Sequence, residues 1–118
     1  MSDIKKEWNA NLVRKWLLSR FEAAQAEQVR AMNHRDREDD YDAAAAEEWV
    51  LQIVKTNVAT DHPDSFARLL NDLLDKNDYR SVGIYDDRRF DRAVRRYLRK
   101  LIKMTKANAG FENLSRFQ

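Results

Sequence analysis

Between residues 3 and 32 the apolar positions fall three and four apart. Ile4, Trp8, Leu12 and Trp16 form one row, with Val13, Leu17, Phe21 and Ala24 beside it. That spacing predicts an amphipathic helix with a wide buried stripe, and Ser2 stands where an N-cap belongs. Helix over all of 3–32 would reach about 45 Å, long for a small domain, which leaves room for a bend or an earlier end. Residues 33–42 hold almost nothing to bury and read as a solvated connection. Its last acids would sit at the next helix N-terminus, where the helix dipole favours negative charge.

A second helix is expected over about 42–59, through Ala43 to Ala46 and then Trp49, Val50, Ile53, Val54 and Val58. Asp61-His62-Pro63-Asp64 breaks the pattern and restarts it, with Asp or His as cap and Pro in the first turn. Phe66, Leu69, Leu70, Leu73 and Leu74 then trace a regular stripe, predicting a helix over 63–76. Residues 76–85 are the least helical stretch: Tyr79, Val82, Gly83, Ile84 and Tyr85 fit a packed loop or one short strand. A fourth helix, capped by Asp86 or Asp87, is expected over 86–107 and stops at Asn108-Ala109-Gly110. The tail, residues 111–118, either docks through Phe111, Leu114 and Phe117 as a short fifth element or stays loose. The fold expected is all-α, a compact single-domain bundle of four main amphipathic helices.

Composition agrees with this. Two Gly and one Pro among 118 residues are too few for the turns of an all-β domain. A 43% hydrophobic share supports a core although 36% of residues are charged. No Cys is present, which excludes disulfides, thiol nucleophiles and Cys-based metal sites. Met1 leads straight into Ser2-Asp3-Ile4-Lys5-Lys6-Glu7, with no apolar leader, and no run approaches the ~18 apolar residues that span a bilayer. A cytoplasmic protein without membrane contact is expected.

Net charge is only +2, but it is unevenly spread. Residues 1–20 carry five Lys/Arg against two acids, and 21–64 carry eleven acids against four Lys/Arg. Residues 86–106 hold nine Lys/Arg against three Asp. On a helical wheel Phe90, Val94, Tyr97, Leu98, Leu101, Met104 and Thr105 take one face of this last segment. Arg88, Arg89, Arg92, Arg95, Arg96, Arg99, Lys100, Lys103 and Lys106 take the other, within an arc of roughly 140°. Asp86, Asp87 and Asp91 lie near the N-terminus, and the rest of the segment holds no acid. A ridge of Arg and Lys suits phosphate, so nucleic acid is the expected partner, duplex rather than single strand because no aromatic interleaves the cations. A solvated face, or an acidic protein partner, is the competing reading. The acids Asp36, Glu38, Asp39, Asp40, Glu47 and Glu48 mark a second candidate surface, for a basic partner protein.

Other chemistry finds little support. Asp36, Glu38, Asp39, Asp40 and Asp42 lack the Gly and distal Glu of a calcium loop. His34 and His62 lie in separate loops with no metal-ligand spacing, so neither metal nor cofactor is expected. No serine sits in an elbow or Gly-rich setting, and no enzyme activity is expected. His62-Pro63-Asp64 matches the tripeptide of J-domain co-chaperones. The match stops at three residues: Glu47-Glu48 and a lone Lys55 stand where that family has a basic helix, and helix-start chemistry accounts for the tripeptide. A helix-turn-helix between the third and fourth helices would need a 3–4-residue turn where about ten residues stand. An overlong first helix would expose part of the Trp8–Trp16 stripe as a homodimer seam.

Overall fold

The computed structural model describes residues 7–33, 38–75 and 87–112, without the side chains of 38–40 and 87. Within them lie α1 (Ala10–Met32), α2 (Glu38–Val54), a 3₁₀ turn (Val58–Asp61), α3 (Pro63–Asp75) and α4 (Asp87–Ala107). The described residues contain no strand. The protein is an all-α bundle: α2 packs on α1 and on α4, and α4 packs on α2 and α3.

Helix α1 starts later than the apolar spacing suggests. Asn9 is extended (φ −110°, ψ 96°), and its side chain accepts the Leu12 N–H at 3.1 Å, closing the helix there. Ser2, the expected cap, lies outside the described residues. Trp8 is thereby freed from the helix. Its Nε1–H donates to the Thr60 carbonyl at 2.9 Å, and its ring packs 6.2 Å from Phe66 and 5.6 Å from Phe111. Trp16 is only 3% exposed and Trp8 and Leu12 are partly buried, so most of the Trp8–Trp16 stripe packs on the core and α1 does not overrun the domain there. The exposed large apolar residues of α1 are Leu18, Val29 and Met32.

Helix α2 begins earlier than expected, taking in part of the acidic run, whose charge complements its N-terminal dipole. It also ends earlier, at Val54. Thr56 and Val58 are β-branched, and Asn57 prefers to bond locally, so the helix is poorly supported here. The Asn57 side chain accepts the Ala59 N–H at 2.9 Å and starts the 3₁₀ turn. Val58, expected on the apolar face, is 78% exposed, while Thr60 is fully buried. The Thr60 hydroxyl donates to the Asn57 carbonyl and accepts from Arg14 Nε at 3.1 Å.

His62 caps α3 with its carbonyl, which accepts the Phe66 N–H at 3.0 Å, and Pro63 takes the first helical position. Helix α4 closes in a Schellman arrangement. Asn108 N–H donates to Thr105 O and Ala109 N–H to Met104 O, both at 3.2 Å, with Asn108 left-handed at φ 48°. Gly110, also at positive φ, turns the chain back, and Phe111 enters the core edge-on to Trp8 and Trp16. Phe111 docks as the sequence suggested; Leu114 and Phe117 lie outside the described residues. So do Tyr79, Val82, Gly83, Ile84 and Tyr85.

Candidate nucleic-acid interface

The register of α4 decides which of its side chains reach solvent. Phe90, Val94, Tyr97, Leu98, Leu101 and Thr105 are buried against α2 and α3, and Phe90 meets Trp49 edge-on at 6.3 Å. With that face fixed in the core, the basic face has nowhere to go but outward.

Its nine cations divide into two sets. Arg88 is exposed, and Arg89 and Arg95 are partly buried. Arg89 Nε lies 3.0 Å from Asp42 of α2, and Arg95 Nε lies 3.3 Å from Asp91 one turn earlier. Lys100 is exposed, with its Nζ 6.0 Å from the Tyr97 ring centroid. The remaining five, Arg92, Arg96, Arg99, Lys103 and Lys106, are all exposed. Among the described residues none of these five has an acidic partner within 4.0 Å. They fall within an arc of about 80° and run along roughly 21 Å of helix. Pairs such as Arg89–Asp42 and Arg95–Asp91 contribute about 0–1 kcal/mol, too little to withhold either arginine from an arriving anion.

The acidic candidates fare differently. Asp36 and the side chains of Glu38, Asp39 and Asp40 lie outside what the structure describes. Glu48 accepts a hydrogen bond from Gln28 at 2.8 Å. Glu47 is 5% exposed and points inward, so it is not part of a docking surface. Both its carboxylate oxygens accept from Arg20, at 2.8 and 2.5 Å, a pair that ties α2 to α1. Burial works against the Arg20 charge, but the hydrogen bond and charge of Glu47 outweigh it, and the guanidinium pKa moves up. The Tyr97 hydroxyl is buried beside this pair with no hydrogen-bond partner. Burial, and then the Glu47 carboxylate, push its pKa well above the usual 10.0. The inward turn of Glu47 was legible in principle, because Glu47, Val50, Leu51 and Val54 obey the i, i+3, i+4, i+7 rule.

Two grooves flank the cations. One, of about 300 Å³, lies between α2 and α4 and is lined by Asp42, Arg89, Arg92 and Arg96. The other, of about 630 Å³, lies between α3 and α4, where Leu74, Ile102 and Ala107 are bordered by Arg99, Lys103 and Lys106. His62 is exposed at the start of α3, and His34 lies outside the described residues. No group of three His or carboxylate side chains comes together among the described residues. Nor is any described helix long and apolar enough to cross a membrane.

Fold and surface together define a small helical bundle that presents one strongly cationic helix. No protein-family model, curated protein or solved structure matches the chain.

Proposed function

We propose that this protein is a non-enzymatic nucleic-acid-binding accessory or regulatory protein, which lays the exposed face of α4 along a duplex backbone. The observation that carries this reading is the stripe of five cations without acidic partners among the described residues, on a helix whose other face is locked in the core. Duplex DNA carries one charge per about 1.7 Å of axis, so a cationic stripe some 21 Å long meets several phosphates. Three of the five are Arg, whose planar fork suits phosphate oxygens. Contacts of this kind position a protein on nucleic acid without reading its sequence.

The test is fluorescence anisotropy with a labelled random-sequence duplex, using an Arg92→Glu/Arg96→Glu/Arg99→Glu variant as control. These positions are exposed and lie off the face of α4 that is buried in the core, so the fold should survive. Binding at low salt by the parent protein, lost in the variant, supports the reading. Absence of binding at low salt overturns it.

A second reading, a protein-interaction module, is favoured by the α3–α4 groove, whose apolar floor of Leu74 and Ile102 phosphate does not need. Reversing charge at Glu47 and Glu48 would not test it, since Glu47 is buried and structural. Ile102→Ser, which adds no charge beside Arg99 and Lys103, discriminates: it should weaken a protein partner and leave duplex binding intact.

A further inference from the structure

The cationic stripe ends at Lys106, and there it meets an aromatic side chain that α4 itself does not carry. Trp8, Pro63, Asp64, Ala67, Lys106 and Asn108 line a groove of about 380 Å³ formed by the segment before α1, the first turns of α3 and the end of α4. Each wall brings a different chemistry. Trp8 commits its one polar group to the Thr60 carbonyl, so the surface it offers the groove is carbon and π-electron density. Phe66 and Phe111 hold the indole in place, so little ordering is needed when a ligand arrives. Pro63 adds a rigid apolar wall that lacks an N–H. Asp64, exposed in the first turn of α3, supplies a carboxylate that only accepts hydrogen bonds.

A phosphate does not suit such a groove, because Asp64 repels it. A flat ring with an amino edge does: it stacks on the indole and donates to the carboxylate, while its own phosphate stays with Lys106 and the stripe. We infer that this groove is a subsite for an unpaired nucleobase, resting on the reading of α4 as a nucleic-acid surface. A carboxylate takes the cytosine amino group well, whereas thymine turns carbonyl oxygens towards it. The stripe alone pointed to a duplex held by its backbone; the groove adds a place for a base released at a duplex end. The bound form is then a duplex with a short single-stranded extension whose base carries an amino group, as cytosine does and thymine does not.

The experiment compares a blunt duplex with the same duplex carrying a short cytosine or thymine overhang, at one salt concentration. The cytosine overhang should tighten binding on the order of tenfold, the scale of one base stacked on an aromatic ring. Ala67→Leu, which fills the groove from α3, should return the overhang duplex to the blunt value and leave blunt-duplex binding unchanged. Asp64→Asn, at an exposed position, should narrow the cytosine-over-thymine preference. Equal affinity for blunt and overhang duplexes overturns the subsite but not the α4 reading, as does an overhang advantage that persists in Ala67→Leu. Deoxycytidine monophosphate, followed by NMR at the Trp8 indole N–H, tests the groove apart from the stripe. A shift seen in the parent protein and absent in Ala67→Leu supports the subsite even if duplex binding fails. No shift overturns it.

Discussion

Arg20 and Glu47 occupy helix positions where the register asks for apolar side chains; Glu47 relies on Arg20, and Arg20 is offset mainly by Glu47, with the half-exposed Glu27 3.5 Å away. Their side chains are 13% and 7% exposed, so a lone charge at either place would stay largely desolvated. We expect Glu47→Ala to destabilise the fold by about 3–5 kcal/mol, measured by urea denaturation. Adding Arg20→Met should recover most of that loss. A single-variant cost below about 1 kcal/mol, typical of exposed pairs, would show that the pair is not buried in solution. Tyr97 presents the opposite situation, a buried hydroxyl with nothing to bond. Tyr97→Phe should leave stability unchanged or raise it by about 1 kcal/mol. Because the folded state raises the Tyr97 pKa, this group's contribution is fully present below pH 10.0, the usual tyrosine value. It is lost as pH rises from there towards the folded value, since the unfolded chain ionises first. The parent protein should therefore lose more thermal stability than Tyr97→Phe between about pH 9 and 11. Identical alkaline limbs would contradict this. Glu47 is the residue where reading from composition failed: an acid in an acidic run looks solvated, although its spacing from Val50, Leu51 and Val54 points inward.

Helix boundaries obey local chemistry that apolar spacing does not register. The Ile4–Trp8–Leu12–Trp16 row fits one continuous helix, yet Asn9 starts α1 after Trp8 and releases the indole towards the 3₁₀ turn. We expect Asn9→Ala to cost about 1 kcal/mol in chemical denaturation, the usual value of an N-cap. At the other end, Asn108-Ala109-Gly110 was legible as a stop because Asn and Gly both tolerate the left-handed region. The docking of Phe111 just past that stop was harder to read. Phe111 looks like part of a loose tail, but the turn at Gly110 drives it between Trp8 and Trp16 at 2% exposure. Phe111→Ala should cost about 3–5 kcal/mol in thermal or chemical denaturation, as large aromatic truncations in cores do. A negligible effect would place Phe111 outside the core. Gly110→Ala should also destabilise, because φ is +99° and the added Cβ would lie 2.9 Å from the Met104 methyl.

At the scale of the whole molecule, the four-helix architecture was legible because Phe66 to Leu74 and Phe90 to Thr105 carry unambiguous stripes. The cationic face was legible for the same reason, since a helix that buries Phe90, Val94, Leu98 and Leu101 must turn Arg92, Arg96, Arg99 and Lys103 outward. Its thinning at Arg95 by Asp91 is an i, i+4 pair readable in the chain, but the capture of Arg89 by Asp42 and the meeting of Lys106 with Trp8 come from tertiary packing and have no signature there. The central claim is that α4 exchanges counterions for phosphates. Its most direct measurement is the dependence of duplex affinity on salt, plotted as log K against log salt concentration. If four or five cations each meet a phosphate, the slope is about −4, and Arg99→Gln brings it about one unit closer to zero on every sequence tried. A slope near zero, or one that Arg99→Gln leaves unchanged, would contradict α4 as the nucleic-acid surface.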